Sequence, residues 1–578
     1  MDIFVHFKSI IVDILTDMGH ADLDFSRINT EPPRDKSHGD IATNAAMVLA
    51  KPLGLKPRDL ALKIAESLQT NADIEKVDVA GPGFINISVA DGFYTSRFAE
   101  IVARKEQFGK PEANGKKLIL EFTSANPTGP VHIGHVRGTV FGDSLANLLQ
   151  WSGYDVFREY YVNDAGGQIV TLARSAFLRY RECLGDDIGQ IPQGYYPGEY
   201  LKPVGQDIVD KFGDKLKSMP EAEWLPLIRD LVMSSMMKMI KQDLELLDVK
   251  FDNYFSESEL HASGAIDKSL ADMRARGLVY EGVLPPPKGQ LPDDYEEREQ
   301  TLFRATDWGD DIDRPLIKSD GSYTYFAADI AYHRDKYMRG FNEQIDVLGA
   351  DHGGYVKRLK AIVRAVSNDE AELDVKICQI VKLVKNGEVQ TMSKRSGNFI
   401  TLKELHSEVG KDPIRFMMLY RKNEAPLDFD YDKVTEKSRD NPVFYVQYAH
   451  ARVHSIMRQA KETLANFDMD EFDFTKANLA LLTDSSEIGV IKSLLNWPKT
   501  ANVAAEFHEP HRISFYLYEL AAQFHSLWNK GKEMPQLRFI VSEDEELTHA
   551  RLALVRSVAY ILKAGLDILG VNTPKEMR

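Results

Sequence analysis

The sequence predicts an α/β protein in three parts. These are a small α/β domain over residues 1–112, a doubly wound parallel-sheet domain over 113–436 and an all-α helical domain over 437–578. Three observations predict it. Strand-like runs in the middle of the chain (Lys117–Phe122, Ile345–Gly349, Val375–Val384) alternate with helix-period stretches, as when helices cover both faces of a parallel sheet. The 578 residues exceed what one hydrophobic core holds, roughly 250–300. After about Lys437 strands fade and helical spacing alone remains, clearest in Leu547, Leu554, Val558, Ile561, Leu562 and Leu566 before Gly570.

In chain order, the first part mixes helix-period stretches (Ile41 to Lys51, Pro57 to Leu68) with a short strand, Gly83 to Ser88. It closes at the polar stretch Gly109–Gly115. The middle part opens on the strand at Lys117–Phe122 and a helix through Val140, Phe141, Leu145, Leu148 and Leu149 that stops at Gly153. A polar insertion interrupts it at about 166–254, and a turn-rich stretch follows at Leu284–Gly289. No tandem repeat or low-complexity segment appears.

Composition narrows the function classes. With 43% hydrophobic and 27% charged residues, and no apolar run near the ~20 residues that span a bilayer, no membrane partner is expected. The first residues, Met1–His6, show no basic leader followed by a hydrophobic segment, so the expected location is cytoplasmic. Cys183 and Cys378 stand in no CxxC pair or Cys/His cluster, which argues against structural zinc or a disulfide framework. The net charge of −16 disfavours coating by nucleic acid. From Glu436 onward, however, 17 Lys+Arg face 19 Asp+Glu, so the tail could approach a polyanion.

The chemistry concentrates at Ala125–His135. His132 and His135 stand three apart around Gly134, where strand should hand over to helix. A helix start offers unpaired N–H groups and a positive dipole end, so phosphate is its natural ligand. Two imidazoles there add donors for charge growing on phosphoryl oxygens, and Gly134 leaves room for a base or ribose. A second segment, Thr391–Asn398, follows the apolar run Ile380–Val384 and a polar hairpin at Lys385–Glu388. As a flexible basic loop it could close over a triphosphate, with Lys394 and Ser393 meeting the departing pyrophosphate.

His132-Ile133-Gly134-His135 and Met392-Ser393-Lys394 resemble the two signatures of class I aminoacyl-tRNA synthetases, with Thr391 and Arg395 departing from the usual second signature. Within that class the chain resembles arginyl-tRNA synthetases of bacterial type. The resemblance rests on Ser124–Pro130, Phe255–Ser258, Tyr323–Tyr332 and Leu348–Tyr355, where Gly353 replaces a histidine of the family run. His38–Asn44 is similar to the family's tRNA-contacting amino-terminal domain, and Gln447–Arg452 to the start of its DALR-type anticodon-binding bundle.

The resemblance implies a Rossmann-like catalytic domain that activates L-arginine with ATP and then loads the 2′-hydroxyl of the terminal adenosine of tRNA(Arg). It implies catalysis by His132, His135 and Lys394, and ATP contacts from Gly134, Asp351, His352, Met392, Ser393 and Lys394. Arginine would be held by Ser124, Asn126, Glu257, Tyr325 and Asp329. Mg2+ would arrive with ATP, and the protein would work as a monomer. A guanidinium never deprotonates near neutrality and carries five donors, so its pocket wants fixed acceptors; Tyr325 and Asp329, four apart, would share a face on a helix. The alternatives are a cysteinyl enzyme, whose zinc the two cysteines could not hold, a small nucleotidyltransferase, and a catalytically inactive tRNA-binding paralogue.

Overall fold

The computed structural model describes residues 3–33, 35–284, 298–390, 400–464, 467–468 and 471–577. The chain forms two compact units. One holds Glu112–Lys437 with Leu569–Val571; the other holds Met1–Pro111, Ser438–Ile568 and Asn572–Arg578.

The first unit is built on five parallel strands: β1 (Lys117–Glu121), β2 (Asp155–Val162), β3 (Asn253–Ser256), β4 (Glu343–Gly349) and β5 (Glu372–Cys378). Their spatial order is β5-β4-β1-β2-β3. The chain winds outward from β1 in one direction and then returns to the other side, so β1 and β4 flank the switch point where such folds open a binding crevice. Helix α1 (Ile133–Trp151) follows β1. Its Val136, Val140, Leu145, Leu148 and Leu149 are all buried, each contributing about 1.5–3 kcal/mol of apolar transfer. Gly142 brings the helix down onto the strand end, because a Cβ there would meet the Phe122 ring at 2.3 Å.

The Rossmann-like fold class agrees with the sequence reading, but three details differ. The run Val375–Val384 is two strands of two sheets. β5 ends at Cys378, and β6 (Val381–Lys385) forms a hairpin with β7 (Glu388–Val389) and pairs in parallel with β8 (Leu427–Asp430). The insertion is polar outside yet folded. Helices α2 (Gly167–Cys183), α3 (Leu201–Phe212) and α4 (Glu221–Glu245) enclose their own core of Leu172, Tyr180, Leu201, Ile208, Trp224 and Ile228. Ile41 to Lys51 begins as a strand, Ile41–Thr43, before the short helix Ala45–Leu49, because Ile41 and Thr43 both turn inward with the period of two. The turn-rich stretch at 285–289 lies outside the described residues.

In the second unit an antiparallel sheet (Thr30–Glu31, Ile41–Thr43, Phe84–Val89, Ile74–Ala80) carries the helices Ile3–Leu15, Pro57–Leu68 and Asp91–Arg104. The remainder is helical, including Pro442–Thr463, Ser485–Leu495, His511–Glu533 and most of Glu545–Leu569. Lys492 donates to the Asp40 carboxylate at 2.6 Å, tying the sheet part to the helical part within this unit. No helix among the described residues is long and apolar enough to cross a membrane.

Candidate active site

At the carboxyl ends of β1 and β4 lies a cavity of about 640 Å³. Ser124, Asn126, His132, Gly134, His135, Glu257, Tyr325, Asp329, Asp351 and His352 all line it, so residues far apart in sequence meet there. Met392, Ser393 and Lys394 lie outside the described residues. The segment that follows them is described: Ile133 N donates to Ile400 O at 3.2 Å and Leu402 N donates to Val131 O at 2.8 Å. Residues 400–402 thus run antiparallel to the histidine segment, with His132 bridged to Thr401.

The chain leaves β1 through a strained turn. Thr123 and Ser124 have φ of +69° and +33°, unusual for residues with side chains and costing about 1–3 kcal/mol each. Ser124 offsets this by contacts: its Oγ donates to Glu121 Oε1 at 3.0 Å and accepts from Tyr161 N at 3.0 Å. Tyr160 donates to Ala125 O and Tyr200, from the insertion, to Thr128 O, while Val131 N donates to the buried Asp243 carboxylate. The loop carrying Asn126 is therefore pinned along its length.

His132 caps helix α1. Its Nδ1 accepts from Gly134 N at 3.1 Å, and the two imidazoles stack at 3.9 Å between centroids. Accepting at Nδ1 assigns the neutral ring's proton to Nε2. The room at Gly134 serves this ring first, since a Cβ there would lie 3.0 Å from His132 Cε1. Across the cavity Asp351 and His352 sit in a 3₁₀ segment, Ala350–Tyr355, with side chains 84% and 52% exposed.

The other end is acidic, with Glu257 buried and Asp329 half-buried. Helix α5 (Tyr325–Met338) begins at the cavity rim, and its helical geometry sets Tyr325 and Asp329 one turn apart. Burial, followed by Glu121, Glu257 and Asp346, pushes the Asp329 carboxyl up to about 7 against the opposing pull of Lys336. Glu257 also rises to about 7, through burial and then Asp164. Neither forms an ion pair with Lys or Arg among the described residues, and Glu257 Oε2 has no hydrogen-bond partner there. Beneath them Tyr161, Phe255 and Tyr332 form an aromatic wall with centroids 4.7–6.1 Å apart. A buried Glu257 and a half-buried Asp329 without a Lys or Arg partner, on such a wall, suit a flat cationic ligand.

Sequence reasoning missed Glu121, Tyr161, Tyr332 and Asp346, which also line the cavity. The available signals were Glu121 and Asp346, each a charge inside an apolar strand run. It also missed Arg137, buried in α1, which donates to the carbonyls of Gln379, Lys422 and Ala425 and so fixes the helix start. Cys378 lines the cavity and burial pushes its thiol up to about 12; Cys183 is exposed. Among the described residues no group of three His, Cys, Asp or Glu could hold a metal ion.

Comparison with known proteins agrees with this geometry. Residues 6–89 match the family described as arginyl tRNA synthetase N terminal domain. Residues 97–195 and 207–455 match tRNA synthetases class I (R), catalytic domain, and 446–577 match the DALR anticodon binding domain. Arginine–tRNA ligases of Rhizobium rhizogenes and Rhizobium meliloti are each 56% identical, with full coverage of both chains. The solved arginyl-tRNA synthetase of Thermus thermophilus shares the fold, at a TM-score of 0.72 and 19% identity over the whole of both chains. With a histidine-capped crevice in its parallel sheet and matching relatives from end to end, this chain belongs to the arginyl-tRNA synthetase family of class I.

Proposed function

We propose that this chain is an ATP-dependent arginine–tRNA ligase whose arginine and ATP meet in the cavity between β1 and β4. The observation that carries this reading is the pair Glu257 and Asp329: two carboxyls, each near 7, with no Lys or Arg ion pair among the described residues and only His261, 3.8 Å from Glu257, beside them, in the same cavity as a helix start capped by histidine. Keeping buried acids uncompensated is costly unless a cation arrives to pair with them.

In the first step the arginine carboxylate attacks the α-phosphorus of ATP, the bond to the β-phosphate oxygen breaks, and pyrophosphate leaves. No covalent enzyme intermediate is required, so positioning and electrostatics do the work. His132 and His135 donate to the α-phosphate oxygens. Lys394 and Ser393 meet the pyrophosphate, with Met392 beside the nucleotide. Gly134, Asp351 and His352 contact the adenosine side. Asp329, Glu257 and Tyr325 hold the guanidinium, while Ser124 and Asn126 hold the α-amino and carboxylate end. In the second step the 2′-hydroxyl of the terminal adenosine of tRNA(Arg) attacks the adenylate carbonyl and AMP leaves. Mg2+ enters with ATP as part of that substrate, and the enzyme uses no structural zinc.

The same reading assigns the domains 1–112, 113–436 and 437–578 to tRNA contact, catalysis and anticodon binding, in a monomeric cytoplasmic enzyme. Aminoacylation of purified tRNA across the amino acids tests it. Charging confined to arginine is expected, and charging with another amino acid, or none, would overturn it.

A further inference from the structure

Three carboxylates stand side by side across the centre of the sheet. Parallel register sets Asp346 of β4 beside Glu121 of β1, and Glu121 beside Glu159 of β2. All three are buried, at 2%, 8% and 0% exposure. Like charges on adjacent strands repel. Two cations, one turn apart near the end of α5, answer this row. Arg339 grips Glu159 with two 2.8 Å hydrogen bonds. Lys336, fully buried, donates at 2.8 Å to both Glu121 Oε2 and Asp346 Oδ1. Glu121 and Asp346 line the cavity, and the lysine stands behind them.

The other oxygen of Glu121 accepts from Ser124, the residue of the strained turn that presents Asn126. We propose that Lys336 is a positioning residue of the arginine pocket. By bridging Glu121 and Asp346 it locks Glu121 against Ser124, and it balances the acid row so that Asp329 and Glu257 remain the acceptors offered to the guanidinium. This rests on the arginine reading above.

The charged and titratable groups facing Lys336 are Glu121, Glu159 and Asp346 from the strands, with Asp329, Tyr332, His333, Asp335 and Arg339 from α5 and its end. Burial alone would depress its ammonium, yet Asp346, Glu121 and Glu159 hold it above the ordinary lysine range. Its charge in turn lowers Asp329, while Asp346 raises it. Removing either partner should therefore move Asp329 in opposite directions, a signature that a purely structural role would not give.

The test uses the full-length chain, K336M and D346N in steady-state aminoacylation at saturating ATP and tRNA, from pH 6 to 9. Wild-type charging with arginine first establishes the underlying reading; its absence would be a failure of that reading, separate from this one. For K336M the arginine KM should rise about tenfold or more with the ATP KM within about twofold. The pH at half-maximal kcat/KM for arginine should move up by about one pH unit. D346N keeps the Lys336–Glu121 contact and should move that midpoint down. The proposal is overturned if K336M raises both KM values together or leaves the midpoint in place. Should K336M fail to fold, a D346N midpoint that stays or rises overturns it, and a fall supports it.

Discussion

The two ends of the cavity are built on opposite principles. At the acidic end Glu257, Glu121 and Asp346 are buried and Asp329 is half-buried before any ligand arrives, and the raised carboxyls of Asp329 and Glu257 record that cost. At the end proposed for the nucleotide Asp351 and His352 remain largely exposed, and the groups presented are the stacked imidazoles at the start of α1, whose first backbone N–H groups are already paired within the protein. The first design selects a ligand by charge and shape, since a wrong side chain leaves buried acceptors unpaired. The second, on the reading proposed above, would stabilise charge that appears only as phosphate oxygens gain it. Substitutions at the two ends should therefore separate into binding effects and rate effects.

The largest effect is expected from Asp329→Asn. The amide keeps the shape but removes one charge of the acidic pair, of which Glu257 is buried and Asp329 half-buried, and turns an N–H toward a donor-rich guanidinium. A loss of about 3–5 kcal/mol corresponds to a rise in arginine KM of some hundreds- to thousands-fold, with the ATP KM within about twofold. Equal rises in both would erase the distinction between the ends. His135→Ala tests the other end. Adenylate formation should slow by ~10²–10³ in kcat, the usual loss for one transition-state donor, with little change in arginine KM. An unchanged single-turnover rate would remove His135 from the chemistry.

The acid dependence sharpens the contrast. Glu257 and Asp329 hold their protons up to about pH 7 in the folded, ligand-free protein, whereas an unfolded chain releases them near 4. The native state then binds more protons between these values, so these two groups lower stability as pH rises through that window. Arginine favours the ionised forms and reverses that penalty. Its affinity should fall about tenfold per carboxyl between pH 8 and pH 6, and the rise in Tm at saturating arginine should shrink accordingly. ATP affinity should change less over the same range. An arginine affinity constant from pH 6 to 8 would contradict the uncompensated acids.

What could be read in advance follows the same divide. The histidine end was legible because strand, glycine and helix are local: the period of α1 and its stop at Gly153 sit within 21 residues of His132. Tyr325 and Asp329 were legible as a pair because a helix turn joins them. The acid row was not. Glu121, Glu159 and Asp346 become neighbours only through strand order and register, and no spacing in the chain encodes that. Val375–Val384 misled for a related reason: apolar residues continue across Gln379 while the chain passes from one sheet to another. The insertion looked polar because its core is shared among three helices, each of which turns only part of its surface inward.

The smallest expected effect tests whether burial, rather than contact alone, sets the magnitude at the acidic end. Tyr325 opens α5 at the rim and is 64% exposed, one helical turn from Asp329, with the Lys318 ammonium 5.7 Å from its ring. Water can replace its hydroxyl, so Tyr325→Phe should raise the arginine KM only about three- to tenfold, the net worth of one hydrogen bond. The double variant with Asp329→Asn then measures the coupling directly. If both groups hold one guanidinium, the combined loss should fall short of the product of the two single effects, because the ligand is already loosened when the phenol is removed. A strictly multiplicative loss would mean that Tyr325 and Asp329 act on different parts of the substrate, and the rim would then belong to the nucleotide end.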